Sequence, residues 1–239
     1  MRSMFTRRFV FVVGVFAALN VALWLATPGL AIRRAIVAEL FGPRMVRAQV
    51  HLKTGDWNLD RGVITQVSST QLTLREFDGR IQPIPLSSST EVVRFGRIVP
   101  VARLAPRGNA LVTWRASGAA QVVVVGKFPA WLRRTIVPQL LGPKLVRLEA
   151  FNSAAVGGSN DWRVDRGVIT SVSATQLTLH EADGRLQAVP LSSATRVLHG
   201  GRQMPLNSLA PRWRVLVTWP ANGAAQSVDV ERIKGQGRR

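Results

Sequence analysis

The hexapeptide DRGVIT stands at residues 60–65 and again at 165–170. Around it the chain repeats itself at a fixed offset. The register of 105 runs without a gap from Trp57/Trp162 to Gly118/Gly223, and 23 of the 31 positions from 60 to 90 match their partners. Upstream the offset is 100, because the second copy reads FNSAAVGGSNDW where the first reads HLKTGDW. That insertion is rich in Gly, Ser and Asn and predicts a loop. The period is too long for a solenoid of 20–50-residue repeats. It implies two small domains of one design.

Each copy reads as short strands joined by turns. In QLTL (71–74) the leucines alternate with polar residues, as on a half-buried strand. GVITQV (62–67) is β-branched. FDGR (77–80) and ADGR (182–185) place Asp-Gly between two strands, a hairpin signal that predicts positive φ at Gly79 and Gly184. RIQPIPL (80–86) carries two prolines and predicts an edge or bent strand. TEVVRF (90–95) is a short strand and ARLAPRG (102–108) a helical turn. ALVTWRASGAAQVVVV (110–125) and VLVTWPANGAAQSVDV (215–230) are matching final hairpins. Five or six strands per unit point to a small antiparallel β-barrel, whose closure removes exposed edges. A short helix precedes each unit. Pro129 suits a first helical turn, whereas Pro138 is expected to interrupt the interior.

The first residues differ in kind. MRSMFTRR is basic, and from Phe9 to Ile32 there is no charge. A run of this length predicts a membrane-spanning helix. PGLAIRRAIVAELFGP (28–43) resembles PAWLRRTIVPQLLGP (129–143), so the first unit begins near Pro28. The span is then about Phe9–Thr27, roughly 28 Å as a helix. A retained anchor fits better than a cleaved signal peptide, whose apolar core is shorter; cleavage would make the chain a secreted one. With the eight-residue tail inside, the bulk of the chain faces outward. The expected organisation is a tail and anchor over 1–27, a first β-barrel unit over 28–126, a second over 127–232, and a basic tail over 233–239.

The strand and turn signals also resemble a known family. G-x-I-T-x-V, L-T-L, D-G and S-x-T-x-V are carried by Gly62, Thr65, Val67, Leu72, Leu74, Asp78, Gly79, Thr90 and Val92. In the second copy they are carried by Gly167, Thr170, Val172, Leu177, Leu179, Asp183, Gly184, Thr195 and Val197. This pattern resembles the small bacterial exported β-barrel family known as domain-of-unknown-function family 5666, over about 60 residues of each copy. The resemblance implies an OB-like barrel outside the cytoplasm and no particular activity, so it assigns no functional residue. The chain departs from the family in its Arg-Arg segments and in lacking a lipid-acceptor cysteine.

Composition narrows the chemistry. With no cysteine there is no thiolate nucleophile, disulfide framework or Cys-based metal site. Hydrophobic residues make up 46% of the chain, enough for packed cores and too many for a disordered protein. The formal charge of +19 points to anionic partners: nucleic acid, phospholipid head groups or an acidic envelope polymer. Only four of the 32 basic residues are Lys, a bias that a GC-rich genome also produces. His51, His180 and His199 are not duplicated and lack zinc-ligand spacing. No nucleophile elbow or phosphate loop occurs. Of the acids repeated in both copies, Asp78/Asp183 are turn residues. Asp60/Asp165 read as residues preceding a strand beside Arg61/Arg166, and no acid pair for general acid–base chemistry is evident. Trp57/Trp162 and Trp114/Trp219 read as barrel core.

The sequence therefore predicts a mainly β protein: a transmembrane helix followed by two duplicated small antiparallel, OB-like β-barrel domains. Its expected role is a non-catalytic, membrane-anchored, extracytoplasmic binding or scaffolding module without cofactor or metal. Its expected partners are the membrane, an anionic lipid or envelope polymer, and a protein. The alternative is an OB-like nucleic-acid-binding protein. The candidate anionic-surface residues are Arg33, Arg34, Trp131, Arg133 and Arg134, because two cations beside an aromatic suit a membrane–water interface.

Overall fold

The computed structural model describes residues 36–37, 41, 45–152 and 161–232. The expected span Phe9–Thr27, the Arg33-Arg34 pair and most of the loop that expands the second copy lie outside them. No helix among the described residues is long and apolar enough to cross a membrane.

The protein is mainly β. Its 16 described strands form one sheet. The first half contributes β1 (Met45–Leu52), β2 (Gly55–Val67), β3 (Gln71–Glu76), β4 (Ile81–Pro85), β5 (Glu91–Arg94), β6 (Arg97–Val99), β7 (Asn109–Arg115) and β8 (Ala120–Val125). Helix α1 (Ala130–Leu141) follows. The second half contributes β9 (Leu145–Asn152), β10 (Trp162–Val172), β11 (Gln176–Glu181), β12 (Leu186–Pro190), β13 (Arg196–His199), β14 (Arg202–Met204), β15 (Arg214–Pro220) and β16 (Ser227–Arg232). The path through the sheet is β14-β13-β16-β15-β10-β9-β1-β2-β7-β8-β5-β6, with hairpins β3–β4 and β11–β12 leaving from β2 and β10. Read outward from its middle, the path has the same strand order in both directions.

The middle is the antiparallel pair β1–β9, in which Gln49 faces Glu149, Ala48 faces Ala150 and Val50 faces Leu148. Gln49 and Glu149 are equivalent residues at the offset of 100, so an approximate twofold axis passes between them. These two strands alternate: Ala48, Val50 and Leu52 are buried, while Arg47, Gln49 and His51 turn the other way and are more exposed. The buried side meets α1 through Leu132, Ile136, Leu140 and Leu141, in a central core that draws Leu59, Leu111, Val164 and Leu216 from both halves. Two further cores lie outside it. One gathers Ile64, Leu72, Ile84 and Val123, the other Ile169, Leu177, Val189 and Val228.

The expected closed antiparallel barrel is not the arrangement found. The sheet is open, and β5–β8 and β13–β16 are parallel pairs. β4 pairs with β3 alone. The Leu86 amide donates to Thr70 O at 2.8 Å, so alternate residues 82, 84 and 86 turn their N–H toward β3. Pro83 and Pro85 therefore sit at the outward-donating positions and have no hydrogen to offer a further strand. The edge is blunted by chemistry instead of by closure. In β12, Pro190 takes the same outward position.

Several local expectations hold. Gly79 (φ 92°) and Gly184 (φ 90°) occupy positive-φ turn positions. The helical turn before the last hairpin is a 3-10 turn at Val101–Arg103. Asp78 and Asp183 accept the amides of Arg80 and Arg185, each at 3.1 Å. In the turns at 87–90 and 192–195, Thr90 Oγ1 donates to Ala120 O at 2.7 Å and Thr195 Oγ1 to Ala225 O at 2.6 Å. Pro138, however, does not break α1. The helix runs through it because Val137, Leu140 and Leu141 on either side are held in the central core.

Gly62 is required by contact and not by φ. A Cβ there would lie 2.3 Å from Arg75 O, because β2 runs against the backbone of β3 at this point. Gly167 meets His180 O in the same way at 2.8 Å. Gly62→Ala should cost about 1–3 kcal/mol, the range for overpacking a tight site, measured by denaturant unfolding. An unchanged midpoint would mean that β2 and β3 do not approach so closely.

Candidate functional site

β1, β2 and β3 bring together a set of ionisable groups that recurs in the second half. Arg47 on β1 lies directly across from Asp60 on β2. Glu76 ends β3 opposite Gly62, whose lack of a side chain lets the carboxyl approach Asp60. Arg47 Nη1 donates to Glu76 Oε2 at 3.0 Å and to Asp78 Oδ2 at 2.6 Å. The Trp114 indole N–H donates to Asp60 Oδ2. In the second half Arg147 Nη1 donates to Glu181 Oε2 at 2.7 Å, Asp183 Oδ2 lies 3.7 Å from Arg147 Nη2, and the Trp219 N–H donates to Asp165 Oδ2. The Glu76 and Glu181 side chains have no exposed surface.

Each half thus buries two carboxyls within hydrogen-bonding reach of each other: Asp60 with Glu76, and Asp165 with Glu181. Glu76 Oε1, Asp165 Oδ1 and Glu181 Oε1 are buried without any N–H donor. Those oxygens are satisfied if each pair holds one proton between its members, as adjacent carboxyls do. Burial raises the Glu76 carboxyl to about 7; the Asp60 charge adds to the rise and Arg47 opposes it. Burial raises Glu181 to about 8, helped by the hydrogen bond and charge of Asp165. Asp60 and Asp165 are raised by burial too, against the indole hydrogen bonds.

This corrects two readings of the sequence. Asp60 does not precede a strand beside Arg61; it stands inside β2 and is bound by Trp114 and Glu76. Paired acids with shifted titration are present, although the sequence reading found none. The signal was an acid repeated in both copies inside a β-branched strand. The pairs are sealed, however. With no exposed surface on Glu76 or Glu181, neither meets a solvent-borne substrate in this conformation. What the arrangement does is brace β1 to β2 and β3, and β9 to β10 and β11.

The arginines that recur at equivalent positions in both copies, Arg47/Arg147 and Arg61/Arg166, are accordingly not all surface charge. Arg61 donates to Phe41 O at 3.4 Å, and burial lowers its pKa. Its counterpart Arg166 donates to Gly142 O and, at 2.8 Å, to Glu231. Arg47 also reaches across the central pair to sit 4.7 Å from the Phe151 ring centre. Beside Arg61, an open pocket of about 420 Å³ is lined by Phe41, Phe77, Lys127 and Phe128.

Of the anionic-surface candidates, Arg33 and Arg34 are outside the described residues. Arg133 lies in α1, between Leu132, which is buried in the central core, and Arg134, which is exposed. Trp131 opens the same helix, is 43% exposed, and donates from Nε1 to Gly96 O at 3.3 Å. The sequence reading missed what Trp131 touches. The β5–β6 hairpin carries Phe95 in its turn, 83% exposed, and Ile98 on β6, 62% exposed. A comparison of the copies held the signal, because Phe95 and Ile98 stand where the second copy has Gly200 and Gln203. Among the described residues no group of three or more His, Asp or Glu is placed to hold a metal ion.

Compared with family models, curated proteins and solved structures, the chain matches none of them.

Proposed function

We propose that this protein is a membrane-anchored, extracytoplasmic scaffolding and binding module that performs no catalysis, built from two duplicated units of one strand order. The observation that carries the reading is the β1–β9 pair. It joins two halves of the same strand order into one sheet over a shared core, an arrangement that fixes the spacing of two equivalent surfaces. The uncharged run Phe9–Ile32 supplies the anchor. The ionisable clusters support a structural role, since they tie strands together and are closed to solvent. The open pocket beside Arg61 favours a partner with an anionic group and apolar bulk.

The nucleic-acid reading is less well supported. OB-like surfaces bind single strands by stacking bases on open aromatic faces. Here Arg115 lies 5.4 Å over Trp57 and Arg163 lies 5.3 Å over Trp219. Trp57 and Trp219 are themselves buried.

The chain has no cysteine, so Ser193→Cys in an exposed turn creates a single labelling site. A membrane-impermeant maleimide should label it in intact cells as fully as after lysis. Labelling only after lysis would contradict the outward orientation and favour the nucleic-acid reading.

A further inference from the structure

We propose that the β5–β6 turn and the outward face of α1 together form a lipid-docking surface, which lays the first half of the sheet on an acidic bilayer. The inference rests on the anchored reading and names the contact that reading leaves open.

Three observations converge on it. The first is strain kept at an exposed position. Phe95 has φ 51°, in the left-handed region that disfavours residues with a Cβ. At the matching turn the second copy uses Gly200 (φ 63°) and Gly201 (φ 80°), which adopt that conformation freely. Phe95 therefore holds an unfavourable backbone while its ring is 83% exposed and contributes little to the core. An outlier of this kind points to function outside the fold.

The second is composition. Phe95, Ile98 and Trp131 are three of the exposed large hydrophobic residues, and the Trp131–Gly96 hydrogen bond ties the helix to the turn. Phe and Ile supply apolar insertion, and Trp favours the head-group level. The third is charge. Residues 92–148 contain no Asp or Glu and ten Lys or Arg. Arg94 on β5, Arg97 on β6 and Arg134 on α1 are exposed, with Arg94 5.4 Å from the Phe95 ring. An apolar tip flanked by Arg94, Arg97 and Arg134, with Glu91 the one acid on the hairpin, fits phospholipid head groups of negative charge.

The chain also has the reach. Thr27, the end of the expected span, is separated from β1 by residues 28–44, which extend to about 60 Å at most. The first half of the sheet is thereby confined near the bilayer from which it emerges.

The test uses the full chain in vesicles of phosphatidylcholine with or without phosphatidylglycerol. A nitroxide is placed at Ile98→Cys, and in a second sample at the equivalent Gln203→Cys. Its collisions with oxygen and with a water-soluble nickel chelate are compared. At low salt in acidic vesicles, position 98 should be shielded from nickel and open to oxygen, while position 203 remains aqueous. High salt, or Arg94→Glu with Arg97→Glu, should return position 98 to water. Phe95→Gly should shift the docking equilibrium roughly tenfold toward water by removing one buried aromatic. If position 98 is as open to nickel as position 203 in acidic vesicles at low salt, the docking surface is refuted. If the chain floats with the vesicles in that experiment, the anchored reading survives alone. If it does not float, both fall together.

Discussion

Raising the pH from about 5.5 to about 9 should lower the stability of this protein, the reverse of what surface-paired carboxylates produce. Glu76 rises to about 7 and Glu181 to about 8, both well above the ordinary carboxyl value. Between the ordinary value and these raised ones, the folded chain keeps a proton in each pair that the unfolded chain has released. The native state then binds more protons, so stability falls as pH rises. The contribution is fully present below about pH 4.5 and is lost as pH passes 7 in the first half and 8 in the second. Each pair should account for roughly 2–3 kcal/mol across that window. Glu76→Gln with Glu181→Gln imitates the protonated acids, because each amide donates to Asp60 or Asp165 at any pH. Thermal melts of this double variant should be flat with pH, and at about pH 9 it should melt several degrees above the parent. A parent melting temperature that stays level or climbs from pH 5.5 to 9 would show that the pairs do not share a proton.

Arg147→Met should cost about 3 kcal/mol or more, because it leaves the one negative charge of the buried Asp165–Glu181 pair without its cation. Arg147 is the more enclosed of the two bridging arginines: its side chain is 11% exposed, against 23% for Arg47. Arg47→Met should therefore cost less. At about pH 9, where Glu181 has lost its proton, adding Glu181→Gln to Arg147→Met should restore more than half of the loss, since the amide removes one of two charges left without a counter-ion. Urea unfolding of the two single variants and the double measures the coupling directly. Equal costs for Arg47 and Arg147, with no recovery in the double variant, would mean that the arginines act by packing alone.

The turns and hairpins were legible in the sequence because their chemistry is local. Asp-Gly at 78–79 and 183–184 fixes a backbone conformation without help from distant residues. The repeated strand order was legible too, from DRGVIT outward. The seam was less so, although its alternation is plain in MVRAQVHL (45–52) and LVRLEAFN (145–152). Those strands follow the helix-like segments, and their pairing with each other depends on a contact 100 residues away. Barrel closure was expected from strand number, yet Pro83 and Pro85 already argued against a partner on one side of β4. The buried acids were misread because sequence position does not show which face of β2 turns inward. Trp114 and Glu76 decide that Asp60 is buried, and both are distant in the chain. The exposed turn was hidden for a different reason: resemblance between the copies drew attention to what they share, whereas Phe95 and Ile98 are where they differ.

The scaffold reading depends on the two halves forming one sheet through β1 and β9. Hydrogen exchange of the amides in 45–52 and 145–152 tests this most directly. If the strands are paired, the amides of 47–52 and 147–150 exchange as slowly as those of the interior strands β2 and β10, because these stretches lie between two neighbouring strands. If the halves are separate, β1 and β9 become edge strands, and half of their amides exchange as fast as the outward amides of β6 and β14. Slow exchange along both strands is the predicted result; fast exchange at alternate residues would contradict the single sheet and the scaffold built on it.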